Sequence, residues 1–456
     1  MEAIMNAIVQ ANDFVNGIVW GVPLLILIFI TGIYYTVRLG AFQFTHPIAL
    51  FKETIVKAFQ KKDDNTAPGE LTSFQAAMTS VAAIVGSGNI AGVATAIVLG
   101  GPGALVWMLL AALIGMSTKF AEVTLGMRYR EIREDGSTAG GAMYYLATGL
   151  KQKWLGVLFS VLVIPYAFVI SAVVDTNSIA LALEERWSVP TLATGLVLAA
   201  LTAIVIFGGL KRIGHVSAVL APFMGGLYIL SGILIILLHI SDVPAAIATI
   251  FQSAFNPAAF TGGAVGSIFV CMRYGIARGI YSNEAGLGTA AMVHSGAKVD
   301  HPVEQGLWGA VEVFLDTVLV CSVTALTIVL SGLYNTGLDG SVLTMRAFDA
   351  MLPGNVGGLI CLASLVLFGF TCLISFYTYA ERAAEYIFGS GSKVIIKVIW
   401  IVMIVVGSQT TLGFAWDLAD TINGLMIIPN LIGLLLLSNE VVKLKKDYFR
   451  HVGIGK

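Results

Sequence analysis

Charged residues are scarce in this chain, which sets it apart from soluble proteins. Only 12% of its 456 residues are Asp, Glu, Lys or Arg, about half the fraction expected of a soluble domain. Hydrophobic residues make up 57%, and the mean hydropathy is +0.87. Apolar runs of roughly 20 residues recur, and each can cross a hydrocarbon core about 30 Å thick. The composition excludes a soluble globular domain and predicts an all-α polytopic membrane protein.

Residues that would support catalysis or a metal centre are also few. The four cysteines fall inside apolar runs without metal-ligand spacing, so no disulfide framework is expected. The six histidines, His294 among them, are predicted near the ends of spans, without paired spacing at mid-membrane. No phosphate-binding glycine motif is present. We therefore expect no enzyme and no nucleic-acid partner, with the lipid bilayer as the surroundings.

The hydropathy pattern predicts eleven membrane-spanning helices. Their approximate ranges are 17–37, 72–99, 103–130, 154–183, 189–208, 213–239, 261–297, 304–332, 355–388, 394–410 and 414–438. Residues 38–71 mix lysines with apolar residues and are expected to lie along the membrane surface. Residues 1–16 lack Lys and Arg, so no cleavable signal peptide is predicted.

Positive charges fall almost entirely on one side of these predicted spans. That side holds every Lys and Arg except four, with Lys119 counted there because it is placed at a helix end. Arg186 and Arg346 lie on the opposite side, and Arg273 and Arg278 lie inside a span. Basic connectors stay in the cytoplasm. We therefore expect a multi-pass protein of the cell membrane, with its N-terminus outside and its C-terminus in the cytoplasm.

Two apolar segments are interrupted near membrane depth. The first reads IVGSGNIAG (84–92), in the second span, and the other reads RGIYSNEAGLGTA (278–290), in the seventh. Backbone groups freed at that depth must be satisfied by protein, water or ligand, because lipid offers no hydrogen bonds. Two interrupted helices that are five apart in order predict an inverted repeat of five helices plus five.

This repeat divides the chain into five predicted parts. They are an extra N-terminal helix (1–37), a surface connector (38–71), the first five-helix repeat (72–239), the second (240–440) and a basic cytoplasmic tail (441–456). Each break exposes N–H groups of one half-helix, which suit a carboxylate, and carbonyls of the other, which suit a cation. The structural alternative is a glycine-rich kink that lets helices pack closely.

The motifs at both breaks resemble those of the alanine or glycine:cation symporter (AGCS) family, in the amino acid–polyamine–organocation superfamily. The matching segments are VGSGNIAGVATAIVLGGPGALVWM, RGIYSNEAGLG, FLDT, ERAAEYIFG and ADTINGLMIIPNLIGLLLLS. The resemblance extends over about residues 17–438. It implies the leucine-transporter (LeuT) type fold, with spans 2–6 and 7–11 as the repeats and the first helix outside them.

The resemblance also implies a site at the first break. The amide groups of Ser87 and Gly88 would bind the carboxylate of an amino acid, and Tyr281 would form an aromatic lid over it. Asn89 is assigned a structural or gating role. The implied Na⁺ ligands are the carbonyls of Ala82, Val85 and Phe368 and the hydroxyl of Thr371.

Several residues depart from the family pattern in ways that bear on ion and substrate. Cys372 stands where a second hydroxyl is usual, and a thiol is a poor Na⁺ ligand, so H⁺ in place of Na⁺ is an alternative. Phe376 replaces a usual Trp, and Arg273 replaces an uncharged residue. Asp175 replaces Gln on a helix that lines the pocket. We assign Cys372, Phe376 and Asp175 to the substrate site.

Asp175 is ionisable within a span and is therefore a functional candidate. Three roles stay open: binding the substrate ammonium or a cationic side chain, taking up a coupled proton, or pairing with Arg273 or Arg278. Arg278 is expected to hold its half-helix through a salt bridge, and its possible partners are Glu122, Glu312, Asp316 and Asp420. Glu284 either accepts hydrogen bonds from free N–H groups in its break or touches substrate.

The leading interpretation is a symporter that imports a small neutral amino acid, of the alanine or glycine type, together with Na⁺ by alternating access. One alternative is a carrier of a larger polar or cationic amino acid that uses Asp175 and is coupled to H⁺ or Na⁺. In another class, the alternatives are a transport-inactive amino acid sensor and a channel. Oligomeric state is left open.

Overall fold

The computed structural model describes residues 2–60, 67–134, 136–255, 264–410 and 412–454. Parts of the predicted connector, seventh span and tail (61–66, 261–263 and 455–456) lie outside the described residues. The described chain is almost entirely helical, as the sequence predicts, with one two-stranded sheet.

The first half of the chain supplies eight long helices. They are α1 (Glu2–Val19), α2 (Val22–Arg38), α3 (Ser73–Ile84), α4 (Gly88–Gly100), α5 (Ala104–Arg128), α6 (Lys153–Trp187), α7 (Thr191–Ile206) and α8 (Gly209–Leu238). Short helices Phe42–Thr45, Pro47–Phe51, Lys52–Val56 and Lys57–Gln60 connect α2 to α3. After α5 come the antiparallel strands β1 (Glu131–Ile132) and β2 (Thr138–Ala139), then the helical turns Ala142–Tyr144 and Tyr145–Gly149.

The second half begins with a helix in the connector before the second break. Its helices are α9 (Val243–Phe255), α10 (Ala264–Asn283), α11 (Ala290–His294), α12 (Pro302–Ser331), α13 (Gly340–Met351), α14 (Val356–Phe388), α15 (Ser392–Gly407), α16 (Leu412–Leu436) and α17 (Ser438–Val452). Single turns Leu333–Asn335 and Pro353–Asn355 flank α13.

Among the described residues, six helices are long and apolar enough to cross a membrane, and eight spans result when each of two bent pairs counts as one. The bent pairs are α1 with α2, at 43°, and α3 with α4, at 47°. The polytopic prediction is confirmed. Eleven crossings stay a prediction, since α7 and α15 have only 16 residues each.

The described residues form four long helices outside the eleven predicted spans: α1, α9, α13 and α17. Because α1 mixes polar and apolar residues, the hydropathy pattern placed the first helix at residue 17 and missed the helix before it. In the structure α1 packs on α16, and the indole of Trp20 donates to the Asp420 carbonyl at 2.8 Å. The basic tail is also helical, because its apolar residues share one face of α17 and pack on α5 and α12.

The predicted division of charge between two sides is visible in the ion pairs. Pairs that join the basic connectors to one another are Lys57–Glu304 (3.1 Å), Arg128–Glu440 (2.9 Å) and Arg133–Glu385 (2.8 Å). We call this end of the bundle the basic side. At the opposite end, Arg186 pairs with Asp349 at 2.7 Å.

Two ionisable residues are buried although no pattern in the sequence indicates it. Lys119 was expected at a helix end, but it lies within α5 and is fully buried. His294 lies at the end of α11, close to the end of the predicted seventh span, and is fully buried. Each is buried because it finds a partner on another helix: both contact Glu312 of α12.

Close packing of α5 against α12 brings these groups together. A Cβ at Gly306 would lie 2.2 Å from Thr124 Oγ1, and one at Gly309 would lie 2.9 Å from a methyl of Val123. Real Cβ atoms cannot approach so closely, so any larger residue would push the two helices apart. The two glycines therefore set the distance at which Lys119 reaches Glu312.

Candidate substrate and ion site

The first break is a true interruption of the helix. Val85 leaves the helical conformation at φ −81° and ψ 89°, and α4 starts at Gly88. The Gly86 N–H donates to the side-chain oxygen of Asn89 at 2.8 Å. In a continuous helix that N–H would bond the Ala82 carbonyl, so the break frees this carbonyl for another partner.

Ser87 and Asp175 meet at this break. The Ser87 N–H donates to Asp175 Oδ1 at 3.3 Å, and the Ser87 hydroxyl bonds the same oxygen. Asp175 closes a π-helical stretch of α6 (Phe168–Asp175) and is 2% exposed. Its second oxygen, Oδ2, has no hydrogen-bond partner. The turn therefore already binds one carboxylate, and that carboxylate keeps a free acceptor.

Neither arginine considered as a partner for Asp175 pairs with it, so one of its three open roles is excluded. Arg278 pairs with Asp420 at 2.7 Å and lies over the ring of Trp416 at 4.8 Å. Arg273 donates to the Asn16 side chain of α1 at 2.9 Å. Asp420, one of four possible partners by sequence, is thus the one that holds Arg278, and Asp175 stays free for a ligand.

Two glycines let other groups of the site approach the break. A Cβ at Gly86 would lie 2.5 Å from the sulfur of Cys372 and 3.6 Å from Asp175 Oδ1. A Cβ at Gly88 would lie 2.9 Å from the ring of Tyr281. The structure therefore brings Ser87, Asp175, Cys372 and Tyr281 around one turn.

Aromatic rings enclose the same region. Tyr281 stacks on Trp416, with ring centroids 4.9 Å apart, and its hydroxyl is buried without a partner. Phe376 contacts Tyr166 at 5.8 Å and Tyr379 at 5.0 Å. These rings exclude water, and they limit the space available for a ligand side chain.

At the second break, side chains from distant helices satisfy the backbone. Glu284 adopts a left-handed φ of 56°. The Gly288 N–H donates to Glu122 at 3.2 Å, and the Gly286 carbonyl accepts from Asn430 at 2.8 Å. The Ala285 N–H bonds the side-chain oxygen of Asn283 at 2.9 Å.

Glu284 therefore does not take the backbone role considered from the sequence. Its carboxylate accepts hydrogen bonds from the hydroxyls of Tyr166 (2.7 Å), Thr289 (2.8 Å) and Tyr379 (3.1 Å). Hydroxyl groups donate to Glu284 in place of backbone N–H groups, because the N–H groups nearby already donate to Glu122 and Asn283. Through these tyrosines, Glu284 orients the rings that contact Phe376.

The expected cation ligands lie where α3 faces α14. The Thr371 hydroxyl donates to the Phe368 carbonyl at 2.9 Å, and Cys372 donates to the Ala83 carbonyl at 3.1 Å. The Cys372 sulfur also lies 3.7 Å from the Val85 carbonyl, and Met224 places its sulfur 3.3 Å from the Thr371 hydroxyl. Oxygen atoms that could coordinate Na⁺ are present, and the sulfurs of Cys372 and Met224 lie among them.

Asp316 is a residue whose position the sequence reasoning missed, since it was considered only as a partner for Arg278. Its carboxylate accepts from Asn89 at 2.6 Å, Ser282 at 2.8 Å and Thr317 at 2.8 Å. Asn89 belongs to the first break and Ser282 adjoins the second. One buried carboxylate in the FLDT motif therefore joins both interrupted helices, through Asn89 of one and Ser282 of the other.

The groups around the first break suit the binding and release of a zwitterion. Within the described ranges, no group of three or more His, Cys, Asp or Glu residues is placed to hold a metal ion. Instead, the first break offers N–H groups, a free carboxylate oxygen and released carbonyls close together. Broken helices that meet at such a site are typical of secondary transporters.

Solved structures share this architecture. The chain superposes on MhsT in complex with L-phenylalanine with a TM-score of 0.58, over 83% of this chain and 98% of that one, at 15% identity. A Na⁺-coupled sialic acid symporter gives 0.57, over 93% and 86%, at 14% identity. The fold is the LeuT type with its five-plus-five inverted repeat.

Sequence comparison identifies the family. Residues 5–456 match the model of the sodium:alanine symporter family, and the chain belongs to that family. It is 43% identical to the sodium/alanine symporter AgcS of Methanococcus maripaludis, covering 96% of this chain and 97% of AgcS. It is also 36% identical to a probable sodium/glutamine symporter, GlnT, of Bacillus subtilis, covering 100% of this chain and 93% of GlnT. The resemblance found in the motifs is confirmed.

Proposed function

We propose that this transporter imports a small neutral amino acid, alanine or glycine, together with Na⁺. The observation that carries the proposal is the turn at Ser87, which binds the Asp175 carboxylate through its N–H and hydroxyl. A substrate carboxylate needs the same donors, and the first N–H groups of α4, Gly88 included, have no preceding helical turn to bond. The amino acid leaves unchanged, so the protein is not an enzyme.

Asp175 then binds the substrate ammonium. Its Oδ2 atom is buried and unpartnered, which is costly for a carboxylate unless a cation comes to it. The ammonium of a zwitterion supplies that charge. The carboxylate of the same molecule takes the place of Asp175 Oδ1 at the Ser87 N–H and binds the Gly88 N–H as well, since one N–H cannot serve both carboxylates. Tyr281 and Phe376 close the pocket from two sides, which favours a small side chain.

Sodium binds where α3 faces α14. The freed Ala82 carbonyl, the Val85 and Phe368 carbonyls and the Thr371 hydroxyl supply the oxygen ligands. The family to which the chain belongs is sodium-coupled, which supports Na⁺ over H⁺ at this position.

Replacing the nearby thiol tests this assignment. We expect Cys372→Ser to lower the Na⁺ concentration for half-maximal uptake by about fivefold, because a hydroxyl oxygen is a better ligand for a hard cation than sulfur. The measurement is alanine uptake into proteoliposomes against Na⁺ concentration. Cys361→Ser, a buried change on the same helix, serves as the control and leaves the midpoint unchanged. An unchanged midpoint in Cys372→Ser as well would place the cation elsewhere.

We further propose that the protein lies in the cell membrane with the basic side in the cytoplasm, its N-terminus outside and its C-terminus inside, after eleven crossings. The basic connectors, which ion pairs join at one end of the bundle, support this orientation. The proposed parts are residues 1–37, 38–71, 72–239, 240–440 and 441–456. Labelling of single cysteines placed in α13 and in α17 by an impermeant reagent tests the orientation, since only the first is accessible from outside.

A second candidate substrate class follows from the same free oxygen. Asp175 Oδ2 would also suit the cationic or polar end of a larger amino acid, and Phe376 gives more room than the usual Trp. Binding to purified protein in Na⁺ separates these cases. We expect alanine and glycine to bind, whereas alanine amide, without a carboxylate, and N-acetylalanine, without an ammonium, fail. Tighter binding of lysine or glutamine than of alanine would favour the larger class.

A further inference from the structure

A buried polar cluster beside the second break takes no part in the proposed substrate and sodium sites. We call it the His–Glu cluster, and its members are His294 of α11, Glu312 and Gln305 of α12, Lys119 of α5 and Ser80 of α3. All five residues have an exposed fraction of 0%. Glu312 contacts Ser80 at 2.7 Å and His294 at 2.7 Å, so one carboxylate joins half-helices from both breaks.

The contacts of Gln305 indicate which nitrogen of the His294 ring carries a hydrogen. The amide nitrogen of Gln305 lies 2.6 Å from the Ser73 hydroxyl and 3.4 Å from the Ser73 carbonyl, which can only accept. The amide oxygen of Gln305 therefore faces His294 Nδ1, at 2.5 Å. An amide oxygen only accepts, so His294 Nδ1 carries a hydrogen.

The other side of the imidazole then requires one more proton. His294 Nε2 lies 2.7 Å from Glu312 Oε1. A neutral ring with its hydrogen on Nδ1 has only a lone pair at Nε2, and an ionised carboxylate offers only lone pairs. Such a contact would be repulsive. The observed contact therefore holds a dissociable proton, shared between the ring nitrogen and the carboxyl group.

The charges around the His294–Glu312 contact favour a proton bound between the two side chains. Lys119 lies 3.5 Å from Glu312 Oε2 and donates to the Asn283 carbonyl at 2.8 Å. The titratable groups that surround the pair and this lysine are Glu122, Glu284, Asp316 and Tyr379, while α3 contributes only the uncharged Ser80. The Lys119 ammonium thus lies among four buried carboxylates, those of Glu312, Glu122, Glu284 and Asp316. A proton bound between His294 and Glu312 reduces this excess of negative charge.

We propose that His294 and Glu312 form a proton-binding site whose occupancy controls the transport cycle, an inference that rests on the proposed symport. The proton comes from water, and its release leaves neutral His294 and an ionised Glu312 beside Lys119. Release turns the attractive contact between α11 and α12 into a repulsive one, so the helices separate and the bond from α3 to Glu312 loosens. Proton occupancy thereby shifts the equilibrium between the conformations that alternating access requires.

The first test is the pH dependence of Na⁺-driven alanine uptake, at saturating Na⁺ and alanine, with equal pH on both sides of the proteoliposome. We expect wild-type uptake to change at least fivefold when the pH is raised from about 5.5 to 9, because loss of the shared proton would break the contact between α11 and α12. Glu312→Gln should abolish that change, since its amide N–H donates to His294 Nε2 as the protonated carboxyl does. Glu304→Gln, on the same helix at the basic side, should keep the wild-type profile.

A second test needs no variant of the cluster. In purified protein with ¹⁵N-labelled histidine, the NMR signals of His294 are identified by single replacement of the other five histidines. We expect His294 at neutral pH to carry hydrogen on both nitrogens, or on Nδ1 with a strong hydrogen bond to Nε2. A neutral ring with an unbonded Nε2, or a wild-type pH profile in Glu312→Gln, would overturn the proton site. Absence of Na⁺-driven uptake in the wild type would instead contradict the proposed function.

Discussion

Asp175→Asn is expected to raise the alanine concentration for half-maximal uptake by about 10- to 100-fold. A hydrogen bond to a charged group contributes about 1.5–3 kcal/mol, and the substitution removes the negative charge that faces the substrate ammonium. It also replaces one of the two acceptor oxygens with a donor that an ammonium cannot use. The measurement is the concentration dependence of labelled alanine uptake into proteoliposomes in saturating Na⁺.

The control for this variant is Asp242→Asn, the same substitution at an exposed carboxylate between α8 and α9. It should leave uptake within twofold of the wild type. If Asp175→Asn also transports alanine with an unchanged half-saturation concentration, Asp175 does not contact the ammonium. Its role would then be limited to holding Ser87 in the turn.

Gly86→Ala is expected to reduce uptake at least tenfold, and Cys372→Ala should restore much of it in the double variant. The added Cβ would lie 2.5 Å from the Cys372 sulfur, and overpacking of this kind costs about 1–3 kcal/mol. Removing the sulfur vacates that space, since the next neighbours, Asp175 Oδ1 at 3.6 Å and the Cys372 Cβ at 3.9 Å, are at ordinary contact distance.

The comparison that isolates this effect is Gly226→Ala in α8, where an added Cβ meets nothing within 4 Å. That variant should transport normally, because alanine is at least as favourable as glycine within a helix. A double variant as inactive as Gly86→Ala would show that the contact with Cys372 is not the cause. The turn would then require glycine for another reason.

The parts of the fold that the sequence predicted are those with local signals. Gly86, Ser87 and Gly88 interrupt an apolar run, so the first break is visible without any structure. The second break is visible in the same way, because Gly286 and Gly288 follow Glu284. Long apolar helices such as α6 and α14 are also predicted, since each is long and apolar enough to cross a membrane.

The parts that could not be predicted depend on contacts between distant residues. Ser87 and Asp175 are 88 residues apart, and no local pattern indicates that one binds the other. Lys119 and His294 each resemble a residue at a membrane surface until Glu312 supplies a buried partner. The pairing of Arg278 with Asp420 instead of Asp175 likewise depends on where α16 packs against α10.

Sodium coupling gives the transporter its driving force without a nucleotide. One cation crossing about 100 mV releases about 2.3 kcal/mol, and a tenfold Na⁺ gradient adds about 1.4 kcal/mol. At one Na⁺ per neutral substrate, the two terms together support an amino acid gradient of several hundredfold.

We propose above that an inward Na⁺ gradient drives alanine or glycine through this site. The most direct measurement is uptake of labelled amino acids into proteoliposomes, with a Na⁺ gradient or a proton gradient imposed separately. We predict saturable accumulation of alanine and glycine with the Na⁺ gradient at equal pH, and no accumulation with the proton gradient in the absence of Na⁺. Accumulation driven by the proton gradient alone, or flux that does not saturate with alanine concentration, would contradict Na⁺-driven symport.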